Sequence, residues 1–160
     1  MASDRADPTP VYFDDRNSGL VLEYKPNSTY EVVIEKQSSK DQQKWRVLNS
    51  GFVGYYYIQS VHNDYVITAG TSAENPLYCA PKKSGLDRTQ LWTFREPDSG
   101  TNSRFIVMSA QTGLVMDVWK KDDKPGTRVQ VFSRSNGNHQ QWSIRTWMEN
   151  HCERLKRQKS

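Results

Sequence analysis

Residues Gly113 to Trp142 read GLVMDVWKKDDKPGTRVQVFSRSNGNHQQW, and the closing tripeptide Gln140-Gln141-Trp142 reveals the period of the chain. The same Gln-x-Trp pattern stands at Gln43-Lys44-Trp45 and at Gln90-Leu91-Trp92, so the three tryptophans lie 47 and 50 residues apart. Recurrence at this interval marks a repeat architecture. Each unit of such a fold buries its apolar face only against its neighbours.

Working outward from the tripeptides, the first halves of the three units align without gaps. VYFDDRNSGLVLE (Val11–Glu23) matches YYIQSVHNDYVIT (Tyr56–Thr68) and FIVMSAQTGLVMD (Phe105–Asp117). Each is an apolar segment, a turn (Asn17-Ser18-Gly19, Asn63-Asp64 or Thr112-Gly113) and a second apolar segment, which predicts a hairpin. A third strand is expected within 30–36, 76–80 and 127–133. A fourth follows each tripeptide, at 45–48, 92–94 and 142–144. Four strands in each of three units predict one all-β domain of twelve strands, with units at about 11–50, 51–98 and 99–145.

The composition agrees. Eight tyrosines, five tryptophans and short runs of Val and Ile separated by Gly, Asn, Asp and Ser favour strands. A chain of 160 residues suffices for one domain with a sizeable core. No apolar run approaches the roughly 18 residues of a membrane-spanning helix. The net charge of +4 is mild, and much of it sits in the tail Arg154–Lys159, so a nucleic-acid partner is not expected. Residues 1–10, MASDRADPTP, read as a polar lead-in without the apolar core of a secretory signal. A cytoplasmic location is therefore expected, with unconventional export as an alternative. Cys79 and Cys152 have no metal-like spacing and no disulfide framework is expected. Asn27-Ser28-Thr29 is read as a chance sequon. At the other end, Thr146-Trp147-Met148-Glu149 has the form of a capping box. Met148, Cys152 and Leu155 recur at helical spacing, predicting a short amphipathic helix over 147–157 within a basic tail, 146–160. That helix is expected to pack on the domain or to support homo-oligomers.

The threefold pattern of tripeptides and hairpins resembles the R-type lectins, the family of the ricin B chain. The resemblance spans residues 11 to about 145 and implies a β-trefoil with pseudo-threefold symmetry. It also implies where a sugar would sit. In that family an aspartate ending the second strand accepts hydrogen bonds from adjacent sugar hydroxyls. An aromatic ring on the third strand stacks on the sugar's apolar face, and a polar residue before the tripeptide adds a hydrogen bond. By that resemblance Asp117, Phe132 and His139 take these roles. Gln130 matches the glutamine one strand-step before the ring, and Gln140 is placed to hold the Asp117 carboxylate.

The residue chemistry is consistent with those roles. Gln130 and Phe132, two apart on a strand, share a face. A carboxylate accepts strong charge-assisted hydrogen bonds, and a ring can cover the C–H face of a pyranose. Phe132 stands where tryptophan is more usual, and His139 where asparagine is. Which histidine nitrogen donates is not fixed by the sequence. The other units have decayed: Glu23, Val33 and Glu35 in the first, and Thr68, Tyr78 and Ala80 in the second, occupy the positions of Asp117, Gln130 and Phe132. One competent site and two vestigial ones are expected. The tripeptide tryptophans are expected to be structural.

No catalytic constellation, metal site or cofactor motif is expected. His62, His139 and His151 are scattered, and Asp122-Asp123 among lysines reads as a solvated loop. The reading is thus a non-enzymatic lectin for galactose- or N-acetylgalactosamine-containing glycans, glycoproteins or glycolipids. Its rivals are a protein-binding trefoil with a silent sugar site (a protease inhibitor or cytoskeletal adaptor) and a membrane-active, glycolipid-binding lectin.

Overall fold

The computed structural model describes residues 8–27, 29–98 and 103–146. The helix expected over 147–157 and Cys152 lie outside the described residues. Among the described residues there are twelve strands. In the first unit they are β1 (Val11–Asp15), β2 (Val21–Tyr24), β3 (Val32–Glu35) and β4 (Trp45–Asn49). The second unit has β5 (Tyr56–Ser60), β6 (Val66–Thr68), β7 (Tyr78–Ala80) and β8 (Trp92–Arg95). The third has β9 (Ile106–Ser109), β10 (Val115–Val118), β11 (Val129–Phe132) and β12 (Trp142–Thr146).

Six strands close a barrel. The long antiparallel pairs are β1–β12, β4–β5 and β8–β9. Single-residue contacts join these pairs at Val11 with Trp45, Tyr56 with Trp92, and Phe105 with Trp142. Every joint therefore uses a tripeptide tryptophan, and barrel closure follows the threefold repeat. The remaining strands form hairpins β2–β3, β6–β7 and β10–β11 that cap the barrel. Backbone bonds tie the caps together in a ring, with Val32 N donating to Leu77 O (3.1 Å), Leu77 N to Val129 O (2.9 Å) and Ile34 N to Thr127 O (2.9 Å). The architecture is a β-trefoil.

The gap-free alignment is reproduced by the backbone. At the tight turn between the first two strands of each unit, Gly19, Asp64 and Gly113 all have positive φ (77°, 68° and 78°). Their amides donate four residues back, to Asp15, Ser60 and Ser109 O at 2.7, 2.9 and 2.9 Å. Glycine takes this conformation without steric cost and aspartate tolerates it. The register is threefold too: Glu23 faces Val33, Thr68 faces Tyr78, and Asp117 faces Gln130. The third strands are shorter than expected because their first residues turn aside to bridge a neighbouring cap, as Glu31 does to Tyr78 and Pro76 to Gln130.

Trp45, Trp92 and Trp142 are fully buried among Phe13, Ile58 and Val107 from the barrel and Leu22, Ile67 and Met116 from the caps. Each indole N–H donates to the carbonyl of that last trio, Leu22, Ile67 or Met116, at 3.1, 3.0 and 3.2 Å. The side chain thus fills the core and satisfies its one polar atom. Trp92→Ala should lower unfolding stability by about 3–5 kcal/mol, the range for removing a large buried aromatic. The shift in the urea midpoint measures it, and a loss below 1 kcal/mol would contradict the structural role assigned to the indole.

Candidate functional site

In each unit the backbone makes a single 3-10 turn just before the tryptophan, at Asp41–Gln43, Arg88–Gln90 and Asn138–Gln140. The turn delivers a buried glutamine to the end of the second strand. The amide Oε1 always accepts from a loop N–H: Ser38 at 2.7 Å, Lys83 at 3.0 Å, Ser135 at 2.8 Å. Its Nε2 donates to a loop carbonyl, of Lys36, Pro81 or Ser133, and to the side chain that closes the strand. That last partner differs: Glu23 at 2.7 Å, Thr68 at 3.3 Å, Asp117 at 2.8 Å. One scaffold therefore presents three different chemistries.

In the third unit Asp117 is braced by two amide donors and lies against an imidazole. Gln130 Nε2 bonds Oδ1 at 3.1 Å and Gln140 Nε2 bonds Oδ2 at 2.8 Å, while His139 Nε2 lies 3.1 Å from Oδ2. A carboxylate has about four lone-pair positions, so one remains on Oδ1. Gln140 is fully buried behind Asp117 and acts on it from below. Asp117, Gln130, His139 and Phe132 line a pocket of about 220 Å³ with Trp119, Lys120, Lys121 and Glu74. Phe132 is 38% exposed while Gln130 is 4% exposed, so the ring stands at the rim and the amide in the wall. Gln130 Oε1 is buried and has no hydrogen-bond partner.

Other units complete this pocket. Glu74 enters from the loop between β6 and β7, in a left-handed conformation (φ 72°), with its N–H on Val131 O at 2.7 Å. The β1–β2 turn props the opposite side. Arg16 Nη1 donates to Gln141 Oε1 at 2.6 Å, and Asn17 Nδ2 donates to Lys121 O at 3.0 Å. The same turn holds Asp15, fully buried, where the sister units have Ser60 and Ser109. Burial pushes the Asp15 carboxyl up from its ordinary value, against hydrogen bonds from Ser18 and Asn17 and the nearby charge of His139. Glu74, Arg16 and Asn17 have no sequence signal, because they sit in loops of units whose own sites are lost.

The sister positions are closed in different ways. Glu23 is paired with Lys25 (2.7 Å) and Lys40 (3.1 Å), and Lys25 also reaches Glu35 (3.1 Å) at the position equivalent to Phe132. The first unit thus fills its own site with ammonium groups. The second has no charge at Thr68, and its third strand carries Tyr78 and Ala80.

Residues 88–154 match the model of the ricin-type β-trefoil lectin domain-like family. The chain is a β-trefoil. Among curated proteins no sequence relative matches. Among solved structures, the trefoil superposes on an exo-β-1,3-galactanase from Clostridium thermocellum with a TM-score of 0.78 at 21% identity, over 88% of this chain and 30% of the enzyme. It superposes on the Rhizoctonia solani agglutinin at 0.73 and 17% identity, over 89% and 98% of the two chains. The Macrolepiota procera ricin B-like lectin, solved in complex with lactose, gives 0.71 at 18% identity, over 89% and 99%. At these identities the likeness establishes the fold.

The closed first unit generates a pH prediction. Burial by itself raises the Glu23 carboxyl, but hydrogen bonds from Lys25, Gln43 and Lys40 outweigh it and leave the pKa below the ordinary 4.5. A depressed carboxylate adds stability above its unfolded-state pKa and loses it as pH falls through the lower folded-state value. Wild type should therefore be more stable than Glu23→Gln at pH 7, and the gap should close as pH drops below about 4. Paired urea titrations at pH 7 and pH 3 test this; a gap that persists at pH 3 contradicts it.

Proposed function

We propose that the trefoil is a lectin whose third unit holds a terminal galactose or N-acetylgalactosamine residue of a glycan, and that it acts by binding rather than by catalysis. The observation that carries this reading is the braced Asp117. Two amide donors hold the carboxylate in one orientation at the base of a pocket, beside an imidazole; an acceptor position is left on Oδ1, and a half-exposed ring stands above it. A ligand hydroxyl can take that position with the strength of a charge-assisted bond. Phe132 then covers the C–H face of the ring.

Braced by donors alone, Asp117 serves as an acceptor, which is what recognition of a diol requires. The lactose bound to the Macrolepiota procera lectin is a galactoside, and it supports the choice of sugar. A monosaccharide of about twelve heavy atoms at ~0.3–0.4 kcal/mol per atom binds with a dissociation constant of ~0.1–1 mM.

A glycan array with retention on immobilised galactose tests the reading. Wild type should be retained and eluted by galactose. Asp117→Ala should abolish retention, and Phe132→Ala should weaken binding about tenfold. An array without galactosides, or retention untouched by Asp117→Ala, would reject the proposal. Gly137 offers an independent check, since a Cβ there would lie 2.6 Å from His139 Cε1 and push the imidazole off Asp117. Its φ of −68° accommodates alanine, so Gly137→Ala should fold normally and bind galactose several-fold more weakly.

A further inference from the structure

We propose that the Asp117 pocket continues past Trp119 into a cationic subsite, and that the glycans held best carry a sulfate or carboxylate there. This rests on the galactoside reading of Asp117 and names the class of glycan it favours. Beyond Trp119 lies a second depression of about 400 Å³, floored by Pro125, Gly126 and Thr127 and flanked by Lys124 and Arg128. Trp119 lines both spaces, so a ligand longer than one sugar passes over its ring.

That ring carries two cations. Lys120 Nζ lies 4.6 Å from the indole centroid and Arg128 Cζ 5.0 Å. Packing on an aromatic face orders both side chains without neutralising either. Arg128 is half-buried, and its Nε is buried with no hydrogen-bond partner. Among the described residues no carboxylate pairs with Lys120, Lys121 or Arg128. The acids nearby are Asp117, Asp122, Asp123 and Glu74. Asp122 accepts from Lys124 N at 3.2 Å and lies 4.0 Å from Lys124 Nζ. Glu74 lines the sugar pocket itself. At the second depression itself Lys124 and Arg128 face one lining carboxylate, Asp122, and the balance there is positive.

The backbone is shaped to hold this arrangement. Lys120 and Lys121 are both left-handed (φ 53° and 58°), and Asn17 pins the carbonyl of Lys121. Exposed lysines alone would give a screened and weak attraction at physiological salt. A half-buried guanidinium with an unpaired donor is screened less, and its fork geometry matches the oxygens of sulfate and carboxylate.

The test uses the full chain on matched glycan sets: neutral galactosides, the same galactosides sulfated at different positions, and the same cores carrying a uronate or sialate. At least one anionic member should bind about threefold to tenfold tighter than its neutral parent in 0.05 M salt. The gain should vanish in 0.5 M salt and in the double variant Lys124→Gln/Arg128→Gln, while the neutral parent binds as before. Sulfated and carboxylated arms show which anion is preferred. Neutral galactosides bound with no anionic gain, or a gain that survives high salt or the double variant, would overturn this inference and leave the galactoside reading standing. Absence of all galactoside binding would overturn both.

Discussion

A single side-chain pair, the glutamine and tryptophan of the tripeptide, governs both the barrel and the pockets. The indole fills the core, ties itself to the end of the second strand through its N–H, and supplies the residue at which the barrel pairs are joined. Two residues earlier, the glutamine fastens the following loop to the same strand end. A buried amide with four possible hydrogen bonds is costly unless nearly all are made, so this group dictates the geometry around it. The pocket is thus a by-product of the way the fold satisfies its own polar atoms.

This explains how the residue at the end of the second strand can differ between units without harm to the fold. The glutamine needs only an acceptor beyond the loop carbonyl, and glutamate, threonine or aspartate each provides one. What surrounds the acceptor is then open to change. In the first unit two lysines pair with the longer Glu23 and form an ion-pair cluster. In the second the charge is gone altogether. In the third, two amides and an imidazole surround the acid, and among the described residues no ammonium group pairs with it. Between strengthening the scaffold and presenting an acceptor, the units have gone separate ways.

The third site also draws on its neighbours. The turn of the first unit packs beneath the loop that carries Lys120 and Lys121, and a loop of the second brings Glu74 to the rim. These contributions come from segments whose own units carry no intact set. A unit whose strand-end acid is paired or absent is therefore not a passive spacer, since its loops form walls of the adjacent pocket.

The sequence by itself determined the period, the strand count, the gap-free register and the identity of the acid, ring, imidazole and amides. It could do so because strands and tight turns obey local rules: alternating burial, residues that tolerate positive φ at Gly19, Asp64 and Gly113, and a tryptophan recurring at a fixed interval. Only the tertiary structure decided which histidine nitrogen meets Asp117, that Lys25 and Lys40 close the first site, and that Glu74, Asn17 and Arg16 build the third. Those contacts join residues from different units, or from loops whose conformation no local pattern specifies. They exist only once the barrel and its three caps have packed.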